Sequence, residues 1–144
     1  MSVSIDRLQA ADAEEVRRLL VENNLPVQGL SDHWRSALVA REGGRVVGSA
    51  ALELYGDAAL LRSVAVAKDR RQHHIGRDLT IAALDLARIS GASTVYLLTT
   101  TAEQFFPKFG FERIARADVP AAVQTSVEFT SACPASATVM RKQL

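Results

Sequence analysis

Apolar and polar positions alternate along VSIDRL (3–8), which predicts a first strand. From residue 10 the spacing changes. AADAEEVRRLLVENN (10–24) places Val16, Leu19 and Leu20 on one helical face, with acids early, so an amphipathic helix starts near Asp12. LPVQGLSDHWRS (25–36) carries Pro and Gly and reads as a loop with a short helix around 31–34. Three strands follow in ALVARE (37–42), RVVGSAALELY (45–55) and AALLRSVAV (58–66). Gly43-Gly44 and Gly56-Asp57 are two-residue links of the kind that close tight hairpins. GRDLTIAALDLARISG (76–91) sets Leu79, Ala82, Ala83, Leu86 and Ile89 along one stripe and predicts a long helix closed by Gly91.

The second half continues in the same style. STVYLLTT (93–100) reads as a buried strand, AEQFFPKF (102–109) as a short helix stopped by Gly110, and FERI (111–114) as a strand. ADVPAAVQTSVEF (117–129) reads as a loop with some helix, and SATVMRKQL (136–144) as a final strand. Three hairpin-linked strands, a crossover helix and further strands predict an α/β fold: a mixed central sheet with helices on both faces. No repeat or linker interrupts the series, so residues 1–144 are expected to form a single domain.

Composition narrows the functional classes. With 48% hydrophobic and 23% charged residues the chain has the make-up of a folded globular protein. Seventeen basic and sixteen acidic side chains give a net charge of +1, too small an excess for a protein that lives on nucleic-acid phosphates. No run approaches the roughly 20 apolar residues that span a bilayer, so no membrane association is expected. One cysteine, Cys133, and an N-terminus without a signal-peptide core predict a cytoplasmic protein.

The one dense basic stretch is KDRRQHHIGR (68–77), between the strand 58–66 and the long helix. Taken alone it is either a solvated basic turn or an anion cradle: free amides at a helix N-terminus, with Arg70, Arg71, His73, His74 and Arg77 close by, suit a pyrophosphate. Neither a P-loop nor G-x-G-x-x-G is present. Two adjacent histidines point different ways and no carboxylate pattern completes a ligand set, so no metal is expected.

AVAKDRRQHHIGRDL resembles the acyl-CoA-binding segment of the GNAT superfamily of N-acetyltransferases, whose loop reads Arg/Gln-x-x-Gly-x-Gly/Ala. Arg71 opens the pattern, Gly76 closes it, and His74 replaces the first glycine. AEQFFPKFGF (102–111) is similar to the family's aromatic helix, with Phe106 where tyrosine is common, and the element order agrees from first strand to last. LRSVAV, YLLTTTAEQFF and CPASATVM resemble, within that superfamily, small acetyltransferases of arsenic-resistance operons. More loosely they resemble the acetyltransferase domain of N-acetylglutamate synthases. This finer likeness covers about residues 58–144. One departure is Pro134 two residues before Ser136, where the glutamate enzymes carry an arginine shortly before the serine.

The resemblance implies an acetyl-CoA-dependent N-acetyltransferase acting on the amine of a small acceptor, an amino acid or a toxic amino-acid analogue. It places the cofactor against the backbone of Val64, Ala65 and Val66, against the loop Arg71, Gln72, His73, His74, Ile75, Gly76 and Arg77, and against Phe106. Phe106 has no proton to give, which leaves Tyr55, Tyr96, Thr99 to Thr101 and Cys133 as substitutes for the usual tyrosine acid. The register through Gly56-Asp57 puts Glu53 opposite Leu60 and diagonal to Arg62 on one sheet face. Such a pair is either a structural ion pair or a substrate site in which Arg62 holds an anionic group and Glu53 acts as base. His33, Trp34 and Ser136 are the further substrate-binding candidates, with Asn23, Asn24 and Gln28 beside them. Acetylation of an antibiotic or a protein N-terminus, and a catalytically silent acyl-CoA sensor, are the competing readings. Sheets of this kind pair through their C-terminal strands, which allows a homodimer.

Overall fold

The computed structural model describes residues 3–71 and 74–144. In chain order the elements are β1 (Val3–Arg7), α1 (Ala13–Glu22), β2 (Ala37–Glu42), β3 (Arg45–Tyr55), β4 (Ala58–Val66), α2 (Ile75–Ile89), β5 (Thr94–Thr99), β6 (Glu112–Ile114), α3 (Ala121–Gln124) and β7 (Thr138–Gln143). The strands form one seven-stranded sheet in the order β1-β2-β3-β4-β5-β7-β6. Its first four strands are a meander. Gly43 and Gly44, at φ +57° and +81°, make the β2–β3 link, because a two-residue turn that follows the strand twist needs left-handed backbone. Among the described residues only β4 and β5 pair in parallel, and α2 is the crossover between them.

Side-chain parity divides the helices between the two faces. A Cβ built on Gly48 would lie 2.7 Å from Leu79 Cδ1 and 3.1 Å from Ile75 Cγ2, so the even positions of β3 around Gly48 face α2. Glu53 is at an odd position and Leu60, Ala58 and Tyr96 share its face, packed under Val119 and Val123 near α3. The larger core lies between the sheet and the long helices, built on Val16, Leu19 and Leu20 of α1 and Leu79, Ala83 and Ala87 of α2. Ile89, at the end of the expected stripe, emerges into solvent at 82% exposure. None of the described helices is long and apolar enough to cross a membrane.

Two stretches differ from the periodicity reading. The helix expected over 102–109 is a turn followed by one 3-10 turn, Phe106–Phe109, in which Pro107 supplies no backbone donor. The segment 117–129 breaks into α3 and a separate π-turn, Glu128–Ala132. Its burial is set by tertiary contacts, and the sequence there has no continuous apolar stripe to sustain one helix.

Candidate functional site

The parallel ladder between β4 and β5 is short: Ala58, Ala59 and Leu60 pair with Thr94, Val95 and Tyr96, and pairing stops there. Yet β4 continues to Val66 and β5 to Thr99. The splayed ends open a cleft of about 1240 Å³, lined on one side by Leu61 to Val66 and on the other by Leu97 to Thr99. Because β5 spends its other edge on β7, the edges facing the cleft carry peptide groups free to meet a ligand.

A β-bulge shapes the β4 wall. Ser49 pairs with Ala65 and Ala51 with Arg62, so Ser63 and Val64 together oppose the single residue Ala50. Ser63 takes φ +59°, and the hydroxyl of Ser49 donates to its carbonyl at 2.7 Å inside the sheet. The bulge is thereby held in place where the strand must turn its backbone toward the cleft.

One end of the cleft is cationic. Arg71, His74, Gly76 and Arg77 line it around the start of α2, and Lys108 faces them from the aromatic turn. The first-turn amides of a helix have no intrahelical acceptor, so α2 presents donors and a partial positive charge to this end. His74 is the residue before the helix and adopts φ +58°, ψ 19°, the left-handed conformation that glycine reaches without strain, at the position where the resembling motif has its first glycine. Arg71 donates to Asn23 Oδ1. Phe106 is buried against Phe105 and Phe111 and forms part of the wall. Ile75 turns its side chain into the core, which leaves only its backbone for the cradle. Gln72 and His73 lie outside the described residues.

The inner end carries a buried charge cluster. Arg62 has 3% of its surface exposed. Its Nη1 donates to Glu53 Oε2 at 2.8 Å, its Nη2 to the Pro26 carbonyl at 3.4 Å, and its Nε to Ser63 Oγ at 3.2 Å. The expected register is present, with Glu53 paired to Leu60. Glu53 itself is sealed behind the sheet face. Tyr55 Oη donates to its Oε1, and His33 Nε2 lies 3.7 Å from the same oxygen. Burial alone raises a carboxyl's pKa, but hydrogen bonds from Tyr55, Arg62 and Ser126 outweigh it and hold Glu53 below the ordinary value. Such a carboxylate is a poor proton acceptor, and it does not line the cleft.

Glu128, from the π-turn, does line the cleft and was invisible to the sequence reading. Its Oε2 is 3.4 Å from Arg62 Nε, and its side chain is 4% exposed. Burial pushes its carboxyl up to about 7, with Arg62 opposing and Glu53 adding to the rise. Cys133 sits beside it, its thiol raised to about 11 by burial and by the charge of Glu128. Of the other expected residues, His33 contacts Glu53, and half-buried Trp34 packs on the core under Arg17, 5.9 Å from its ring centroid. Ser136 is exposed, and none of these three reaches the cleft. Thr99, Thr100, Thr101 and Cys133 line it, whereas Tyr55 is committed to Glu53 and Tyr96 is buried near α3.

The Acetyltransferase (GNAT) domain family matches residues 33–113. No curated protein shows significant sequence similarity to the chain. Among solved structures, N-acetylglutamate synthase from Neisseria gonorrhoeae, complexed with coenzyme A and N-acetyl-glutamate, superposes with a TM-score of 0.86 at 20% identity. That match covers 100% of this chain and 35% of the synthase, so the chain spans about a third of its length. A Mycobacterium tuberculosis protein in complex with CoA gives 0.83 at 24% identity, over 98% of this chain and 99% of that one. A GNAT family acetyltransferase from Brucella melitensis in complex with acetyl-CoA gives 0.64 at 22% identity, over 77% and 83%. The splayed parallel strands, the bulged β4 and the family match to residues 33–113 agree, and the chain belongs to the GNAT acetyltransferase domain family.

Proposed function

We propose that the chain acts as a single domain that transfers an acetyl group directly from acetyl-CoA to the amine of a small acceptor. The carrying observation is the unpaired run of β4 beyond Leu60, which leads from the buried charge cluster to the cationic start of α2. A pantetheine arm has amides spaced to hydrogen-bond along such an edge as an added strand. The pyrophosphate then falls to the α2 amides with Arg71, His74 and Arg77, and Phe106 packs beside the arm.

Chemistry follows from this seating. The acceptor nitrogen, once neutral, attacks the thioester carbonyl carbon, and backbone N–H groups of Val64 to Val66 are the donors for the oxyanion that forms. The C–S bond then breaks and the thiolate leaves with the electron pair. With phenylalanine at position 106, no tyrosine among the described residues lines the cleft to protonate it. A thiol of ordinary pKa, about 8.5, takes that proton from water without a dedicated acid.

An amino acid or a toxic amino-acid analogue is the finer acceptor reading, supported by the likeness to the arsenic-operon group. The gonococcal synthase holding N-acetyl-glutamate makes glutamate a natural first probe. The test is acetyl-CoA binding by calorimetry, followed by thiol release from acetyl-CoA with amino acids and their arsenic and phosphorus analogues. Binding together with acceptor-dependent release is the expected result. Binding without release for any acceptor would assign the chain to silent acyl-CoA modules instead.

A further inference from the structure

The π-turn that carries Glu128 holds its backbone at both ends. The Glu128 amide donates to Ser126 Oγ at 3.2 Å, and its carbonyl accepts from the Cys133 amide at 3.2 Å. Single π-turns are frequent at functional sites. The carboxylate lines the cleft, nearly sealed from bulk water, and the cation beside it is Arg62, whose Nε lies 3.4 Å away and also donates to Ser63 Oγ. Arg62 is held more closely by Glu53, at 2.8 Å, so two buried carboxylates share one guanidinium, and a second cation from outside the chain balances the charge at this end. We infer that Glu128 receives the ammonium group of the acceptor and takes its proton, with Arg62 as the positioning residue that fixes the carboxylate. The inference rests on the acetyltransfer reading and names a residue and a charge class within it.

Charge at the inner end supports the assignment. Glu53 and Glu128 face one guanidinium, and all three nitrogens of Arg62 are already engaged by Glu53, Pro26 and Ser63. An acceptor therefore enters this end by its positive group, because two carboxylates outweigh the one guanidinium there. In the step itself an N–H bond of the ammonium breaks, its electron pair stays on nitrogen, and the proton moves to a Glu128 oxygen. The neutral nitrogen forms the C–N bond, the C–S bond breaks, and one of the two protons left on the now cationic nitrogen is transferred to the departing thiolate, directly or through water, while the other stays on the product amide. Glu128 returns its proton to water. The groups facing Glu128 are Arg62 from β4, Glu53 from β3 with Tyr55 and His33 behind it, and Cys133 from its own turn. A carboxyl pushed up to about 7 is near the value at which a general base works best at neutral pH.

The test uses the full chain with acetyl-CoA and three probe amines, L-glutamate, L-glutamine and putrescine. For whichever amine turns over, Glu128→Gln is expected to lower kcat/KM by about 100-fold or more and to abolish the acidic limb near neutrality. Its acetyl-CoA affinity should be unchanged, and Glu128→Asp should restore part of the rate. A Gln variant that keeps its rate and its acidic limb overturns the inference and spares the acetyltransfer reading. If the Gln variant does not fold, the Asp variant decides, since it keeps the charge but withdraws it by one methylene. Full kcat in Glu128→Asp would then overturn the inference. No turnover of wild type with any amine overturns the acetyltransfer reading and this inference with it.

Discussion

At the scale of single residues, His74 is where local strain meets ligand chemistry. A non-glycine residue in the left-handed region costs roughly 1–2 kcal/mol, while glycine loses about 0.5–1 kcal/mol more backbone entropy on folding. The balance predicts that His74→Gly stabilises the chain by about 0.5–1 kcal/mol in urea unfolding. If the imidazole touches a phosphate oxygen, the same variant binds acetyl-CoA more weakly, so stability and affinity move in opposite directions. A fall in stability would mean that contacts made by His74 outweigh its backbone strain. This position was legible because a motif has fixed spacing and Gly76 marked its end. Glu53 and Arg62 were legible as partners because a two-residue hairpin fixes register. Glu128 was not: an isolated glutamate in an aperiodic segment gives no local sign that folding will bury it 3.4 Å from Arg62.

At the scale of elements, the contact that matters most to the cofactor is α2 against β3. Gly48 has no side chain because Leu79 and Ile75 occupy the space where one would stand, and the Ala65 carbonyl lies 3.2 Å from the same point. Ile75 is the first residue of α2, so pressure at Gly48 is passed to the turn that would cradle the phosphates. Gly48→Ala should therefore cost about 1–3 kcal/mol of stability and also weaken acetyl-CoA binding in a calorimetric titration. A stable variant of unchanged affinity would show that α2 repacks without moving its first turn. The strands and both long helices followed from alternation and from apolar stripes, signals written within each element. The aromatic turn and the 116–132 segment did not, since Pro107 interrupts one and three different short turns share the other.

At the scale of the whole molecule, the cleft exists because two strands separate, and its inner end is lined by charge that the core has to accommodate. That charge gives the stability of the chain a pH dependence with a definite sign. Glu128 titrates at about 7 when folded, whereas an unfolded glutamate titrates near 4.3. Between those values the folded chain binds more protons than the unfolded one, so stability falls as pH rises. The drop expected between about pH 5.5 and about pH 8 is about 2 kcal/mol. Glu53 acts in another window: its lowered value stabilises the fold above the ordinary carboxylate range, and that contribution is lost only as pH falls below it. The two effects therefore do not cancel near neutrality. Urea midpoints measured across this range should slope downward for wild type and flatten in Glu128→Gln, which cannot ionise. An ammonium docked on Glu128 should relieve the same penalty, so an acceptor that binds there stabilises the chain more at the alkaline end than at the acidic end. Equal slopes in wild type and Glu128→Gln would mean that the carboxyl is already solvated, and would remove the physical reason for an ammonium to settle against it.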